Sequence, residues 1–375
     1  MIKPVRPTLF VGLMSGTSQD AVDAVLAEFP ISGEGPPRLI ASDSTPLPPQ
    51  LRARLDALQE PGGGDLDNAL QLHHELGLRF ADSALSLLAS AHAEPRSVRA
   101  IGSHGQTVRH RPAGPGPHSL QLGDAALIAA RTGIATVADF RSGDIAAGGQ
   151  GAPLAPLFHQ AAFGNSGCQR AILNLGGMAN VTFLGAGNAG PSGWDTGPGN
   201  VLLDAWAARH LGQPYDADGA FAASGRVHNS LLAALLDHPF VSRQPPKSTG
   251  REDFNAQWLE RFLDRFGAIE PADVQATLAE FTAACIATAF VNRTNTEELL
   301  ICGGGTRNRD LLKRIDRHLP GLAVDTTAKA GVDPQWVEAL AFAWLARQRI
   351  AERALDTQRV TGARQPVILG CVYLP

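Results

Sequence analysis

The first sixty residues alternate short apolar runs with turn-forming residues. Apolar runs occupy residues 9–13, 21–29 and 38–42, and a segment rich in glycine and proline at residues 30–37 precedes the third run. Runs of this length bounded by Gly and Pro are typical of strands. The pattern therefore predicts a β-meander at the start of the chain.

A helical period replaces the strand pattern at residues 65–91. Leucine and alanine recur there mostly every three or four positions, which predicts one or two packed helices. Residues 98–102 and 118–122 have the pattern of further strands. Residues 124–132 have the pattern of a helix with Asp124 near its N-cap.

Gly, Ala and Pro dominate residues 142–156, a composition that predicts a loop at a cleft. We place the boundary between two lobes there, with an N-terminal lobe at residues 1–152 and a C-terminal lobe at residues 153–375 whose tail can return to the first. Length supports two lobes, because 375 residues exceed one ordinary core.

The strand pattern returns in the second half. Strands are predicted at residues 171–175 and 181–184, helices dominate the next hundred residues, and residues 299–302 have the pattern of a buried strand. Each half therefore opens with a strand, a glycine-rich turn and another strand, which indicates duplicated α/β lobes.

Composition excludes several classes of protein. The hydrophobic fraction of 44% and charged fraction of 18% are typical of a globular α/β enzyme. A net charge of -4 without a Lys/Arg run argues against nucleic acid as a partner. No stretch has the length of a membrane span or a secretory signal, and the four cysteines are scattered singly, so we expect a cytoplasmic protein with reduced thiols that does not associate with a membrane.

The turn between the first two predicted strands contains the first candidate chemistry. It lacks the Gly-Lys-Ser/Thr ending of a P-loop and lies between two strands, so a hairpin is the better interpretation. Gly16 would let the backbone approach an anionic ligand, and Asp20 and Asp23 could hold Mg²⁺ directly or through water. A polar β-turn with solvated aspartates fits the composition equally well. The nucleotide-binding candidates of this turn are Gly16, Thr17, Ser18, Gln19, Asp20, Ala21, Val22 and Asp23.

Two further glycine turns could contact a nucleotide. Gly176 and Gly177 join the first two strands of the second lobe, in a second hairpin where a phosphate could approach the backbone. Gly303, Gly304 and Gly305 follow the buried strand and could leave room for a ribose or adenine. A glycine-rich helix N-cap is the alternative for the last three. The order of the three turns along the chain is more specific than any one of them.

That order resembles the superfamily that contains sugar kinases, Hsp70 and actin, and several strings resemble one branch of it, the anhydro-N-acetylmuramic acid kinases. The strings are GLMSGTS at residues 12–18, SHGQT at 103–107, ADFR at 138–141, LNLGGMAN at 173–180, DTGPGN at 195–200, KSTGREDFN at 247–255 and VEALAFA at 337–343. The resemblance therefore covers nearly the whole chain. The chain departs from the family pattern at Ala21, where the family usually has glycine.

The resemblance implies an α/β, two-lobed actin/hexokinase-like (ribonuclease H-like) fold with a central cleft. It also implies a homodimer, the use of ATP and Mg²⁺, and the opening of 1,6-anhydro-N-acetylmuramic acid by water, coupled to phosphorylation of O6. The family's catalytic aspartate maps to Asp195, which we expect to follow a strand and to activate the water. Without the resemblance, a turn or the cap of the helix predicted at residues 201–210 would be the better interpretation of Asp195.

Four more residues are candidates for the sugar site. Glu338 lies in an otherwise apolar helix, where an unpaired carboxylate is costly to bury, so it is either exposed or functional. His104 and Gln106 follow a strand end and could hydrogen-bond the substrate, although a single His at a turn is more often structural. Arg141 could pair with the lactyl carboxylate of a muramic sugar, or else with Asp139 or Asp144. Lys247 and Arg251 fit a solvated loop equally well and are left out of the site.

Three other functions remain possible on these residues. Another sugar kinase of the same fold would differ only in its substrate. A non-catalytic actin-like protein would bind ATP without phosphorylating a sugar, which the presence of Asp195 and Glu338 disfavours. A glycoside hydrolase would use those two carboxylates without nucleotide, and would have no use for the three glycine turns.

Overall fold

The computed structural model describes residues 9–16, 19–30, 35–59, 65–164, 167–185, 189–245, 247–250 and 253–375. The chain divides into two compact units. Unit 1 comprises Met1–Asn165 and Trp336–Pro375, and unit 2 comprises Ser166–Gln335. The chain first passes from unit 1 to unit 2 between residues 165 and 166, C-terminal to the boundary predicted at residues 152–153, and residues 336–375 return to unit 1.

The strands alternate with helices along most of the chain. The strands are β1 (Leu9–Met14), β2 (Ala21–Glu28), β3 (Arg38–Pro46), β4 (Val98–Ser103), β5 (Gln106–Arg111), β6 (His118–Leu122), β7 (Thr136–Ala138), β8 (Arg170–Leu175), β9 (Met178–Phe183), β10 (Ser192–Pro198), β11 (Glu298–Cys302), β12 (Ala323–Thr326) and β13 (Cys371–Tyr373). The helices are α1 (Pro49–Gln59), α2 (Leu66–Ser90), α3 (Ala125–Thr132), α4 (Ser142–Ala146), α5 (Ala155–Phe163), α6 (Val201–Leu211), α7 (Ala220–Ser224), α8 (Asn229–Leu236), α9 (Pro239–Ser242), α10 (Ala256–Leu263), α11 (Pro271–Thr288), α12 (Arg309–His318), α13 (Val337–Ile350) and α14 (Gln358–Thr361).

Each unit is built on one mixed sheet, and the two sheets share a strand order. The sheet of unit 1 has the order β13-β7-β4-β1-β2-β3, and that of unit 2 the order β10-β9-β8-β11-β12. In each, the first three strands form an antiparallel meander. Two parallel strands continue the sheet on the other side of the first strand, β4 and β7 in unit 1 and β11 and β12 in unit 2. Strands β5 and β6 form a separate two-stranded sheet. The predicted α/β class is confirmed, and the shared order explains why the strand pattern recurs in the sequence.

Local signals account for several boundaries. Asp124 caps α3 by accepting a hydrogen bond from the backbone N–H of Leu127 at 3.0 Å, and the helix ends at Gly133 with a φ of 67°. Residues 65–91, predicted as one or two helices, form the single helix α2 with Asp65 as its N-cap. Its apolar face packs into the core of unit 1 together with the meander strands.

Helix α13 packs directly on the sheet of unit 1 at two glycines. A Cβ atom at Gly12 in β1 would collide with the carbonyl oxygen of Ala339, and one at Gly102 in β4 would collide with that of Phe342. The absence of side chains at these two positions therefore permits the close approach of helix and sheet. This contact fixes the first turn of α13, which contains Glu338, relative to β1 and β4.

Two expectations about local structure were wrong. Residues 142–156, expected to be a loop, contain α4 and the start of α5. Asp195, expected to follow a strand, lies within β10, opposite Asn180 of β9 and beside an irregularity in the strand register. Glycine and proline in both segments concealed the regular structure from a pattern-based prediction.

Within the described ranges, no helix is long and apolar enough to cross a membrane. Of the four cysteines, Cys285 and Cys302 are buried, Cys168 is half-buried and Cys371 is exposed.

Candidate active site

The first glycine turn is a hairpin between β1 and β2, as predicted. Within it the carbonyl of Gly16 accepts a hydrogen bond from the N–H of Gln19 at 3.2 Å, and Gln19 has a φ of 58°. Ala21 begins β2 opposite Pro46, so the left-handed backbone of this turn lies at Gln19, and alanine at position 21 causes no strain there. Thr17 and Ser18 lie outside the described residues. The side chain of Val22 is buried in the core, so only its backbone could contact a nucleotide.

The two aspartates of this hairpin differ in their surroundings. Asp20 is exposed, and its carboxylate lies 3.6 Å from the guanidinium of Arg52. Asp23 lies within β2, where its carboxylate accepts a hydrogen bond from the hydroxyl of Ser44 at 2.6 Å. A solvent-facing carboxylate is the more suitable of the two for a hydrated metal ion.

Buried polar side chains connect this hairpin to the end of β4. The hydroxyl of Ser15 donates to Oε1 of Gln106 at 2.7 Å, and Nε2 of Gln106 donates to the carbonyl of Gly16 at 3.2 Å. Nδ1 of His104 lies 3.3 Å from the carbonyl oxygen of Ser15. Ser15 therefore uses its hydroxyl within the protein. We refer to Ser15, His104, Gln106 and Arg141 as the polar cluster of unit 1.

The contacts of His104 define its tautomer. Nη2 of Arg141 lies 2.8 Å from Nε2 of His104, and because a guanidinium only donates, Nε2 must accept. The ring proton is therefore on Nδ1, which donates to Ser15. Burial and the neighbouring charge of Arg141 lower the pKa of His104 to about 3. His104 is thus neutral near pH 7 and can orient groups, but it cannot serve there as a charged acid.

Arg141 lies among hydrogen-bond acceptors and carboxylates. Its Nη1 donates to the carbonyl of Gly151 at 2.7 Å, and burial lowers the pKa of Arg141 to about 10, while the carboxylates of Glu338 and Asp144 act in the opposite direction. Asp139 accepts from the hydroxyl of Ser142 at 2.6 Å. The structure therefore brings His104, Gln106, Arg141 and Glu338 together in unit 1, as the sequence suggested.

Unit 2 contains Asp195, which is partly buried in β10. Its Oδ2 accepts a hydrogen bond from the backbone N–H of Thr249 at 2.9 Å, and its own N–H donates to the carbonyl of Lys247 at 3.2 Å. Helix α6 is capped by Asn200, so Asp195 does not cap it. The segment around residues 247–249 therefore orients the carboxylate.

Lys247 was excluded on the sequence as part of a solvated loop, and the structure corrects this. Its side chain is only 7% exposed, and its Nζ donates to the carbonyls of Phe240 and Val241 at 3.2 and 3.1 Å. Nζ also lies 4.6 Å from the centre of the Phe240 ring. Burial lowers the pKa of Lys247, and the charge of Asp195 opposes that shift. Arg251, excluded with it, lies outside the described residues.

The second glycine turn is the hairpin between β8 and β9, as predicted. Backbone N–H groups of Gly199 and Asn200 donate to the carbonyls of Gly177 and Gly176, each at 2.9 Å. The side-chain amide of Asn200 donates to Leu175 and Gly176 at 3.0 and 3.1 Å. The loop that follows Asp195 therefore packs on the glycine hairpin and commits its carbonyls to the protein.

The third glycine turn follows β11 and differs from residue to residue. Gly303 has a φ of 87° and donates its N–H to the carbonyl of Pro334 at 2.9 Å. A Cβ at Gly305 would lie 2.5 Å from Cγ of Leu175, so this glycine is required by packing. Among the described residues, no atom lies within 4 Å of a Cβ built at Gly304, so a ligand could approach its backbone.

A magnesium ion prefers oxygen ligands, which carboxylate side chains supply. Among them, no group of three or more His, Cys, Asp or Glu side chains is placed to hold a metal ion. Magnesium bound with a nucleotide commonly takes only one or two carboxylates together with phosphate oxygens and water. The exposed carboxylate of Asp20 fits that need.

Comparison with known proteins places the chain in a kinase family. The family model described as anhydro-N-acetylmuramic acid kinase matches residues 8–375. A protein of that name from Saccharophagus degradans is 47% identical over 99% of this chain and 100% of its own length. One from Xanthomonas axonopodis pv. citri is 49% identical over 98% of this chain and 99% of its own. The chain therefore belongs to the anhydro-N-acetylmuramic acid kinase family.

Solved structures with more distant sequences also match. Component A of the (R)-2-hydroxyglutaryl-CoA dehydratase of Acidaminococcus fermentans has a TM-score of 0.48 at 14% identity, covering 92% of this chain and 99% of the other.

Proposed function

We propose that this protein is an ATP- and Mg²⁺-dependent kinase that opens 1,6-anhydro-N-acetylmuramic acid with water and phosphorylates O6, giving N-acetylmuramic acid 6-phosphate in cell-wall recycling. The family match over residues 8–375 is the observation that carries the proposal. Cytoplasmic location and a homodimeric state belong to the proposal as well.

Asp195 is the general base of the proposed reaction. It accepts a proton from water as the water oxygen forms a bond to C1 of the sugar, the C1–O6 bond breaks, and O6 takes the γ-phosphoryl group while ADP leaves. The hydrogen bond from Thr249 N–H supports this role, because it fixes the orientation of the carboxylate without requiring its protonation.

The polar cluster of unit 1 and Glu338 bind the sugar. Arg141 pairs with the lactyl carboxylate, and neutral His104 holds the guanidinium through Nε2. Gln106 is fixed by Ser15 and Gly16 and offers its amide as a hydrogen-bonding group. Glu338 lies near enough to Arg141 to affect its pKa, and it acts as a second carboxylate that orients this site.

The glycine turns bind ATP. The hairpin at Gly176 and Gly177 contacts its phosphates, with the N-terminus of α6 adjacent to it, and Gly304 contacts the adenosine side. In unit 1, Gly16 and its neighbours in the first hairpin are the candidates for contact with phosphate. Magnesium would be held by Asp20, with Asp23 as the second candidate, and would neutralise charge on the transferring phosphoryl group.

The test is a coupled ADP-release assay with Mg-ATP and 1,6-anhydro-N-acetylmuramic acid, with the product mass recorded. N-acetylmuramic acid, N-acetylglucosamine and glucose are tested in parallel. ADP release with a product heavier by one phosphoryl group and one water supports the proposal. Turnover of another sugar alone would leave a kinase with a different substrate, ATP hydrolysis without any sugar product would favour an actin-like role, and sugar opening without ATP would indicate a hydrolase.

A further inference from the structure

The carboxylate of Asp144 is fully buried in unit 1 and accepts three strong hydrogen bonds. The hydroxyls of Thr357 and Thr361 donate to its Oδ1 at 2.5 and 2.8 Å, and the backbone N–H of Gly151 donates to its Oδ2 at 2.7 Å. A carboxylate is costly to bury, and three donors offset that cost. Nothing in the proposed chemistry uses Asp144 directly, so its burial requires another explanation.

Asp144 belongs to residues 141–151, which we call the anchor loop, and both threonines belong to residues 357–364, which we call the C-terminal segment. Backbone hydrogen bonds join the two. The N–H of Gln150 donates to the carbonyl of Thr361 at 2.9 Å, and that of Arg364 donates to the carbonyl of Ala147 at 3.0 Å. A Cβ at Gly149 would collide with the Asp144 carboxylate. The anchor loop is therefore closely packed against the C-terminal segment.

A continuous set of hydrogen bonds leads from Asp144 to the polar cluster. Asp144 holds the N–H of Gly151, and the carbonyl of Gly151 accepts from Nη1 of Arg141 at 2.7 Å. Nη2 of Arg141 donates to His104, which in turn donates to Ser15. The guanidinium is thus held at two nitrogens, one through Asp144 and one through His104, and two bonds to a planar group fix its orientation.

We propose that Asp144, with Thr357 and Thr361, is a positioning residue that sets the orientation of Arg141 and thereby the preference for a sugar that bears a carboxylate. The proposal rests on the proposed function for its substrate. An Arg fork binds a carboxylate well only when its plane is held in advance by supporting contacts. The C-terminal segment, more than 200 positions from Arg141 in the sequence, would then contribute to substrate specificity.

The test compares two anhydro sugars that differ in the lactyl group. For wild type and Asp144→Ala, kcat and KM are measured with 1,6-anhydro-N-acetylmuramic acid and with 1,6-anhydro-N-acetylglucosamine, which lacks the carboxylate. The specificity ratio is kcat/KM for the muramic sugar divided by kcat/KM for the glucosamine sugar. We expect Asp144→Ala to lower this ratio about tenfold or more, mainly by raising KM for the muramic sugar. A general loss of structure would lower both values together and leave their ratio unchanged.

Asp216→Ala is the matched control in unit 2. Asp216 is also a buried carboxylate, 6% exposed, which accepts the backbone N–H groups of Phe221 and Ala222 at 2.9 Å each. Its loss should lower Tm as the loss of Asp144 does, but it should not change the substrate ratio. If Asp144→Ala does not fold, the double variant Thr357→Val with Thr361→Val is measured instead, because it keeps the carboxylate and removes two of its donors. Asp144→Asn should restore part of the substrate ratio that Asp144→Ala loses.

A double-mutant cycle with Arg141→Met decides whether Asp144 acts through Arg141. Once Arg141 is absent, removing Asp144 should have no further effect on the ratio. Additive effects, or an unchanged ratio in Asp144→Ala, would overturn the proposal.

Nitrogen NMR of His104 gives a readout that needs no turnover. In the wild type the ring should carry its proton on Nδ1, with Nε2 as an acceptor, and Asp144→Ala should produce a mixture of tautomers because Arg141 is no longer held. If the wild type does not act on the anhydro sugar, the proposed function fails while this spectrum still tests the positioning. An unchanged His104 signal in Asp144→Ala would refute the positioning itself.

Discussion

Units 1 and 2 share a strand order but differ at equivalent strand ends. The strand β4 in unit 1 and the strand β11 in unit 2 occupy the same place beside the first strand of the meander. In unit 1, β4 is followed by His104 and by Gly105 with a φ of 73°, and in unit 2, β11 is followed by Gly303 with a φ of 87°. The residue directly after the strand therefore carries a side chain in unit 1 and is a glycine in unit 2.

The glycine hairpins of the two units also differ in their use of side chains and backbone. The hairpin between β1 and β2 is fixed by the polar side chains of Ser15 and Gln106, whereas the hairpin between β8 and β9 is fixed by backbone groups and Asn200. Side chains can distinguish the substituents of a sugar, and bare backbone can approach phosphates closely. The proposed function uses this difference, with side chains of unit 1 assigned to the sugar, bare backbone of unit 2 assigned to phosphates, and Asp195 of unit 2 as the proposed base.

Asp195→Asn should give the largest effect. The amide oxygen can still accept from Thr249 N–H, but an amide cannot take a proton from water, so we expect kcat to fall about a thousand-fold. ATP affinity, measured by titration calorimetry, should be nearly unchanged. Asp253→Asn is the matched control, since Asp253 accepts from the hydroxyl of the same Thr249 at 2.7 Å, and a near-normal rate in Asp195→Asn would remove the proposed base.

Asp20→Asn tests the metal in the hairpin of unit 1. Because the exposed carboxylate would hold Mg²⁺ directly or through water, the Mg²⁺ concentration for half-maximal rate should rise about tenfold or more. Asp23→Asn should have a smaller effect, because that carboxylate is bound to Ser44. The two variants are compared in a Mg²⁺ titration at saturating ATP, and equal effects or none would contradict this ordering.

Substitutions at Gly304 and Gly305 distinguish contact with a ligand from packing within the protein. A Cβ at Gly304 has no atom of the described residues within 4 Å, so Gly304→Ala should leave Tm unchanged, and Gly304→Val should raise KM for ATP about tenfold. At Gly305 a Cβ would press on Leu175, so Gly305→Ala should destabilise the fold by about 1–3 kcal/mol. The measurements are thermal unfolding and steady-state kinetics, and a stable Gly304→Val with normal KM would exclude adenosine from this turn.

Acid should lower the free energy of unfolding of unit 1 because of its buried and half-buried histidines. Burial lowers the pKa of His104 and His159 to about 3 and that of His110 to about 4. An unfolded His binds a proton near pH 6.5, so the stabilisation is complete above that pH and is lost as the pH falls toward 3. The loss is at most about 1.4 kcal/mol per pH unit for each histidine.

Urea unfolding between pH 7 and pH 5 measures this loss. The variant His159→Gln should show a shallower dependence of the unfolding free energy on pH than the wild type, by one proton. The same slope in both would show that His159 is not the group that titrates.

The local sequence pattern was sufficient to predict the elements whose signals lie within a few residues. The meander of β1, β2 and β3 follows from apolar runs and turns, and α3 follows from its period and from the Asp124 cap. The glycine hairpins were predicted for the same reason. The polar cluster was suggested by the family strings, since nothing in the spacing of His104 and Arg141 indicates that they meet.

The errors of prediction arise where distant residues determine structure. Helix α4 lies in a glycine-rich segment, and its Asp144 accepts a hydrogen bond from Thr357, 213 positions away. Lys247 lies in a polar stretch but is buried against Phe240 and two carbonyls, and no composition signal indicates such partners. Long-range contacts of this kind require the tertiary structure.

The position of α13 on Gly12 and Gly102 also has a consequence for how the chain is made. Unit 2 is continuous in sequence, whereas the sheet of unit 1 lacks the helix that covers β1 and β4 until residues 336–375 have left the ribosome. The nascent chain must therefore carry an incomplete first unit throughout the synthesis of the second. Its exposed apolar face would be a natural substrate for a chaperone during that interval.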